Sequence, residues 1–325
     1  MKRYWWVGIP ILLLVAAGIY FWPKRWLNPN GSAKQVAELN LMKYDFDSLR
    51  VRAGVASEIS IGGTISEVEL RRTKKYNFTT REISFMSDGK KVSGMMNIPV
   101  GNGLKPFRTI IMIRGYAEKI GYYPGYGTWR VADKLADEGY TTISLDFLGY
   151  GHSDNESNDV MEARFHKAVE VLDLIESVKL LPWVDKNNIG IWAHSNGGQI
   201  ALSVLEITGA KYPTALWAPM TRPFPESVLS TIDTGSPVKG IIEEFQKHYD
   251  ARRYAFENYY EWINAPILIQ QGTADDQVKV EWQQSLQSRL KDIGKKVDLT
   301  IYQGSDHNMS KDWQKAVDED VDFYR

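Results

Sequence analysis

Not one of the 325 residues is cysteine. This excludes disulfides, thiolate metal sites and a cysteine nucleophile, and leaves the redox compartment open. An excess of charge of either sign is missing too: 39 Lys+Arg stand against 40 Asp+Glu, a net charge of -1. The chain therefore carries no electrostatic footprint for nucleic acid. Neither an HExxH pair, a P-loop nor a dinucleotide fingerprint occurs. No metal and no cofactor is implied, and the expected partners are small-molecule or peptide substrates. A chain of this length could hold two average domains, but α/β sheets reach about 250 residues as one. One globular domain is expected.

What is present centres on Asn-Ile-Gly-Ile-Trp-Ala-His-Ser-Asn-Gly-Gly at 188–198. It reads as a buried strand, a tight turn carrying one serine, and the start of a helix, the pattern of a nucleophile elbow. A serine at such a turn needs small neighbours two residues before and after, because strand and helix backbones pass close there. Ala193 and Gly197 are those neighbours, alanine replacing the first glycine of the usual G-x-S-x-G. Ser195 is the candidate nucleophile. Apolar Ile189, Ile191 and Trp192 precede it, and helically spaced Ile200, Ala201, Val204 and Leu205 follow.

An elbow serine needs a general base, and its partners follow in the order Ser, Asp or Glu, His, each after a later strand. The apolar strand at 266–271 leads into Gly-Thr-Ala-Asp at 272–275, and the strand at 297–302 leads into Gly-Ser-Asp-His at 304–307. Asp275 is the expected orienting acid and His307 the general base. Neutral imidazole can take a serine proton near pH 7, and a carboxylate on its other nitrogen fixes the tautomer.

These blocks, with Ile-Ile-Met-Ile-Arg-Gly-Tyr at 110–116 and Leu-Asp-Phe-Leu-Gly-Tyr-Gly-His-Ser at 145–153, resemble an α/β-hydrolase. The chain is most similar to the catalytic domain of the prolyl-oligopeptidase family of serine peptidases and its esterase relatives, over residues 80–325. The resemblance implies a mostly parallel sheet covered by helices on both faces. It matches the acid three residues after Gly272, which favours Asp275 over Asp276 and over Asp306 beside the histidine. The backbone N–H groups of Asn196 and Tyr116 are the expected oxyanion hole. The implied function is a serine hydrolase that cleaves a peptide, amide or ester bond. A carboxylesterase is the alternative, and a non-catalytic, membrane-held binding protein is the reading from another class.

Arg114 stands where many relatives carry histidine, and is expected either to face solvent, to play a structural part or to reach a substrate carboxylate. The Tyr116 side chain reads as core packing. His194 is expected to pack beneath the elbow, and His152, His166 and His248 to be surface or structural. Asp146, at a strand end, is expected to bind loop backbone N–H groups.

The first residues differ in kind. Lys2 and Arg3 precede an apolar run at 5–22, and Lys24 and Arg25 follow it. Eighteen residues suffice for a transmembrane helix of about 17–25, and Trp5, Trp6, Tyr20, Trp22 and Trp26 sit where an aromatic belt would. An uncleaved single-pass anchor is expected, with the enzyme outside; a cleaved signal is the competing reading. The expected division is an anchor at 1–27, a linker and N-terminal extension at 28–75, and a catalytic domain at 76–325. Two strands around an Asp88-Gly89 turn should begin the sheet. Strands near 109–113, 141–146, 188–193, 214–218, 266–271 and 297–302 alternate with helices such as 128–138 and 162–179, which implies a parallel, doubly covered sheet. The long interval at 220–264 reads as a helical cap. Most of its aromatics would form the cap's own small core and a minority an apolar pocket.

Overall fold

The computed structural model describes residues 41–69, 71–72, 76–101, 106–230 and 236–325. The apolar run at 5–22 lies outside them; among the described residues no helix is long and apolar enough to cross a membrane. Nine described strands form one sheet. They are β1 Ser60–Ile61, β2 Phe78–Ser87, β3 Lys90–Pro99, β4 Phe107–Ile113, β5 Thr141–Leu145, β6 Val184–His194, β7 Thr214–Trp217, β8 Ile267–Gly272 and β9 Val297–Tyr302. Their spatial order is β1-β2-β3-β5-β4-β6-β7-β8-β9. β1 to β3 run antiparallel and close on β5, and from β5 through β4 to β9 every pairing is parallel. Parallel strands need crossovers on both faces, so their side chains are buried on both sides. β4 shows the consequence: Ile110 and Met112 enter one apolar layer, Ile111 and Ile113 the other.

The helices are α1 Phe46–Arg52, α2 Ser66–Glu69, α3 Trp129–Asp137, α4 Val160–Val178, α5 Asn196–Thr208, α6 Glu226–Leu229, α7 Pro237–His248, α8 Val280–Asp292 and α9 Trp313–Tyr324. α3 and α9 give Val131, Leu135, Val317 and Val321 to one face; α4, α5 and α8 give Leu172, Ile175, Leu205 and Leu290 to the other. α4 starts where it does because the Asp159 carboxylate accepts from the Met161 and Glu162 N–H groups, which the helix leaves without partners of its own.

Residues 41–52, within the expected linker and N-terminal extension at 28–75, bury Leu41, Tyr44, Phe46 and Leu49 in the main core. Phe46 stacks on Tyr259 at 4.6 Å, and Arg253 pairs with Asp45 at 2.7 Å. The insertion at 220–264, expected to have a small core of its own, forms none among the described residues. Phe224, Phe245, Tyr254, Phe256 and Tyr260 join the same main core, packed against Phe165 of α4 and the 41–52 segment. The eight rings at 220–264 were too many for a helix turn to bury locally, and their partners lie far off in sequence.

Candidate active site

β4 to β9 all end at one edge of the sheet, where ligands bind in open α/β folds. β6 ends there at His194, α5 begins at Asn196, and Ser195 sits alone between them with φ +54° and ψ -121°. A non-glycine residue in this region stores strain that its surroundings must hold. They do so from three sides: the Ser195 N–H donates to the Trp217 carbonyl at 2.9 Å, and its own carbonyl accepts from Gly198 at 2.9 Å and Met220 at 2.8 Å. The small neighbours are required. A Cβ on Gly197 would lie 2.4 Å from the Ile113 carbonyl oxygen, and one on Gly198 2.3 Å from Pro219.

The loop after β4 comes equally close. A Cβ on Gly115 would meet the Ser195 Cβ at 2.9 Å, so the backbone that carries the Tyr116 amide passes against the elbow. Asn196 is the first residue of α5, and its N–H has no partner within the helix. Arg114 neither faces solvent nor reaches toward the cleft. It is buried, donates to the carbonyls of Gly115 at 2.9 Å and Asp146 at 2.7 Å, and stacks against the rings of Tyr150, Tyr122 and Phe147. The Asp146 carboxylate accepts from Ser93 Oγ at 2.6 Å and Tyr122 Oη at 2.8 Å. Together they fix the loop's origin.

Asp275 and His307 meet. His307 Nδ1 and Asp275 Oδ2 are 2.8 Å apart. A carboxylate accepts, so Nδ1 holds the proton and Nε2 of the neutral ring keeps its lone pair. Asp275 also accepts from the N–H groups of Gln277 and Val278 and from the Gln271 amide. Burial pushes its pKa up, but these donors, His307 first, outweigh burial and hold it below the ordinary value. Asp276 is exposed. Asp306 accepts from Asn308 and Ser310 and caps the turn. Ser195 and His307 are each 6% exposed.

His194 joins the two halves. It adjoins Ser195 in sequence, its ring lies 4.7 Å from that of His307, and Nε2 donates to the His307 carbonyl at 2.9 Å. Burial first, and His307 after it, push its pKa down to about 4, so it is neutral near pH 7. His166 is structural, set between Asp88 and Glu170, whereas His152 and His248 lie at the surface beside glutamates. Sequence reasoning missed Gln271, whose amide braces Asp275, and Gln199, which bonds Asn196. A glutamine at a strand end was the only signal for the first. Among the described residues no group of three or more His, Asp or Glu is placed to hold a metal ion.

The profile of the prolyl oligopeptidase family matches residues 128–325 and so takes in Ser195, Asp275 and His307. The chain belongs to the prolyl oligopeptidase family. Curated relatives include a probable dipeptidyl peptidase 4 of Emericella nidulans, 26% identical over 183 residues, 52% of this chain and 22% of that protein. A probable dipeptidyl-aminopeptidase B of Ajellomyces dermatitidis is 27% identical over 205 residues, 58% of this chain and 21% of that one. The chain thus spans about a fifth of the length of these relatives. Among solved structures, an acetyl xylan esterase from Paenibacillus sp. R4 superposes with a TM-score of 0.64 at 14% identity, covering 91% of this chain and 100% of that one. The acylaminoacyl peptidase of Pyrococcus horikoshii gives 0.58 at 17%, covering 81% and 43%. At such identities the likeness is one of fold, and the fold is that of the α/β-hydrolases in this family and beyond it.

Proposed function

We propose that this member of the prolyl oligopeptidase family is a serine hydrolase that cleaves a peptide or ester bond by acyl transfer. The observation that carries the reading is the 2.8 Å contact between His307 Nδ1 and Asp275 Oδ2, on the strand edge where Ser195 is held at φ +54°. Ser195 Oγ attacks the carbonyl carbon while His307 Nε2 takes its proton, and Asp275 stabilises the imidazolium that forms. The Asn196 and Tyr116 amides hold the oxyanion, each worth about 10²–10³ in rate. His307 then returns the proton to the leaving amine or alcohol, and water releases the acyl group by the same steps in reverse.

A peptide substrate is favoured because the sequence relatives carry the names of dipeptidyl peptidases. A second reading, carboxylesterase, is supported by the end-to-end superposition on an acetyl xylan esterase. A fluorophosphonate probe should label wild-type protein and not Ser195→Ala; a wild type that stays unlabelled would leave a non-catalytic binding protein as the better reading. With labelling in hand, a panel of acyl esters against aminoacyl and peptidyl amides separates the two enzymes, and turnover of esters alone removes the peptidase. We also propose that residues 5–22 anchor the enzyme in a membrane with the catalytic domain outside, on the strength of their apolar length and flanking tryptophans.

A further inference from the structure

Arg164 lies in the second turn of α4, which follows the loop at 146–159 after β5 and packs against α5, the helix that begins beside Ser195. Its Nη2 donates to Gln199 Oε1 at 2.7 Å and to Ser227 Oγ at 2.8 Å. Gln199 in turn hydrogen-bonds the Asn196 side chain. The guanidinium thereby bridges α4, α5 and α6 and rests on the side chain of Gln199, a residue one helical turn beyond Ser195. Its other neighbour is the Phe224 ring, 6.0 Å from the guanidinium carbon.

These partners hold the cation without neutralising it. Arg52, Arg72 and Arg253 all pair with a carboxylate within 3 Å, whereas no described carboxylate lies within ion-pair distance of Arg164. Burial alone acts on its pKa, lowering it to about 10, so it stays charged at neutral pH. A part-buried cation with neutral partners keeps most of its desolvation cost, and an anion that reaches it recovers that cost. Nη1 and Nε hydrogen-bond no other described residue, and the guanidinium is a planar fork that suits a carboxylate.

We propose that Arg164 is a specificity-determining residue that binds a carboxylate on the substrate, so that the enzyme prefers anionic substrates. The proposal rests on the serine hydrolase reading and names its substrate class. An acidic side chain beside the scissile bond and a dicarboxylate monoester carry the same group, and both substrates belong in the test.

The test pairs substrates that differ in charge alone: the umbelliferyl monoester of adipic acid against its terminal amide, and a glutamyl against a glutaminyl aryl amide. Fluorophosphonate labelling of Ser195 is followed in parallel. Wild type should show a kcat/KM at least about tenfold higher for the anionic member of whichever pair it turns over, as expected of a charge-assisted bond. The ratio should shrink as salt rises, fall toward one in Arg164→Gln, and stay partly above one in Arg164→Lys. A labelled wild type that turns over the neutral member equally well, or a ratio unchanged in a folded Arg164→Gln, overturns the proposal and leaves the hydrolase reading intact. Absence of labelling in wild type overturns that reading first and this one with it. Should Arg164→Gln fail to fold, the salt dependence of the wild-type ratio decides, and a ratio indifferent to salt counts against the proposal.

Discussion

At the scale of single residues, the site is a matter of which polar groups have partners and which lack them. Asp275 has four donors and Asp276 is exposed. Asp275→Asn should leave the fold largely intact and lower turnover about 10³-fold or more, because the amide either fixes the wrong tautomer or leaves the imidazolium unstabilised. Asp276→Asn should change turnover less than about threefold; steady-state kinetics on both variants checks this, and a reversed ranking defeats the assignment of the acid. Glu206 presents the opposite case. It is 0% exposed on α5, and neither carboxyl oxygen has a hydrogen-bond partner among the described residues. Burial pushes its pKa well above the ordinary value, and a charge on it would in turn raise the pKa of Tyr260. The native state therefore keeps a proton that the unfolded chain releases above its ordinary carboxyl range, so stability falls as pH rises from there. Glu206→Leu should be more stable than wild type by about 1–3 kcal/mol at pH 8, and the gain should shrink toward pH 4. Denaturant melts at the two pH values measure it, and a gain that does not change with pH would remove the titration from the account.

At the scale of elements, the short apolar runs made β4, β5, β7 and β8 legible to within two residues, because a strand buried on both faces has few polar positions; the edge strand β9, buried only in part, was legible as well. β6 begins four residues earlier than its apolar run, at Val184, since Asp185, Lys186 and Asn187 are partly or fully exposed and carry no apolar signal. The elbow and the order Ser195, Asp275, His307 were legible because close backbone approach forces small residues into a fixed spacing. Arg164 and Gln199 were not, since an arginine and a glutamine on helices read as a solvated face until the third element, α6, is in place. The α1 segment had a signal that went unused: Asp45 caps it by accepting from the Ser48 N–H at 2.7 Å, and Phe46 and Leu49 share one face. The sharpest element-level constraint is the approach of the β4 loop to the elbow. Gly115→Ala places a Cβ 2.9 Å from that of Ser195, which must push the Tyr116 amide away from the oxyanion. The variant should lose about 10²-fold in kcat while its stability falls by about 1 kcal/mol. A fall in stability with kcat unchanged would place the oxyanion donor elsewhere.

At the scale of the whole molecule, two boundaries that look alike in sequence have different physical standing. Removing residues 1–27 takes away the apolar run and none of the described elements, so the remaining chain should be soluble and hydrolytically active. Removing residues 1–53 also takes away Leu41, Tyr44, Phe46 and Leu49, all buried in the main core. With them go the Asp45–Arg253 pair and the two bonds from Arg52 to Asp173. Burial of a large apolar side chain contributes about 1.5–3 kcal/mol, so losing four of them is comparable to the whole stability of a domain, about 5–15 kcal/mol. Asp173 would moreover be left buried without its cation, which is costlier than removing both. The longer truncation should therefore be insoluble or unfolded, and circular dichroism with fluorophosphonate labelling compares the two directly. An active, cooperatively folded protein starting at residue 54 would make the segment dispensable. Full-length protein should partition with membranes and resist a carbonate wash, because a run apolar on every side cannot be satisfied as a surface helix. Recovery of the full-length mass in the soluble fraction would defeat the anchor, and recovery of a shortened mass would favour a cleaved signal.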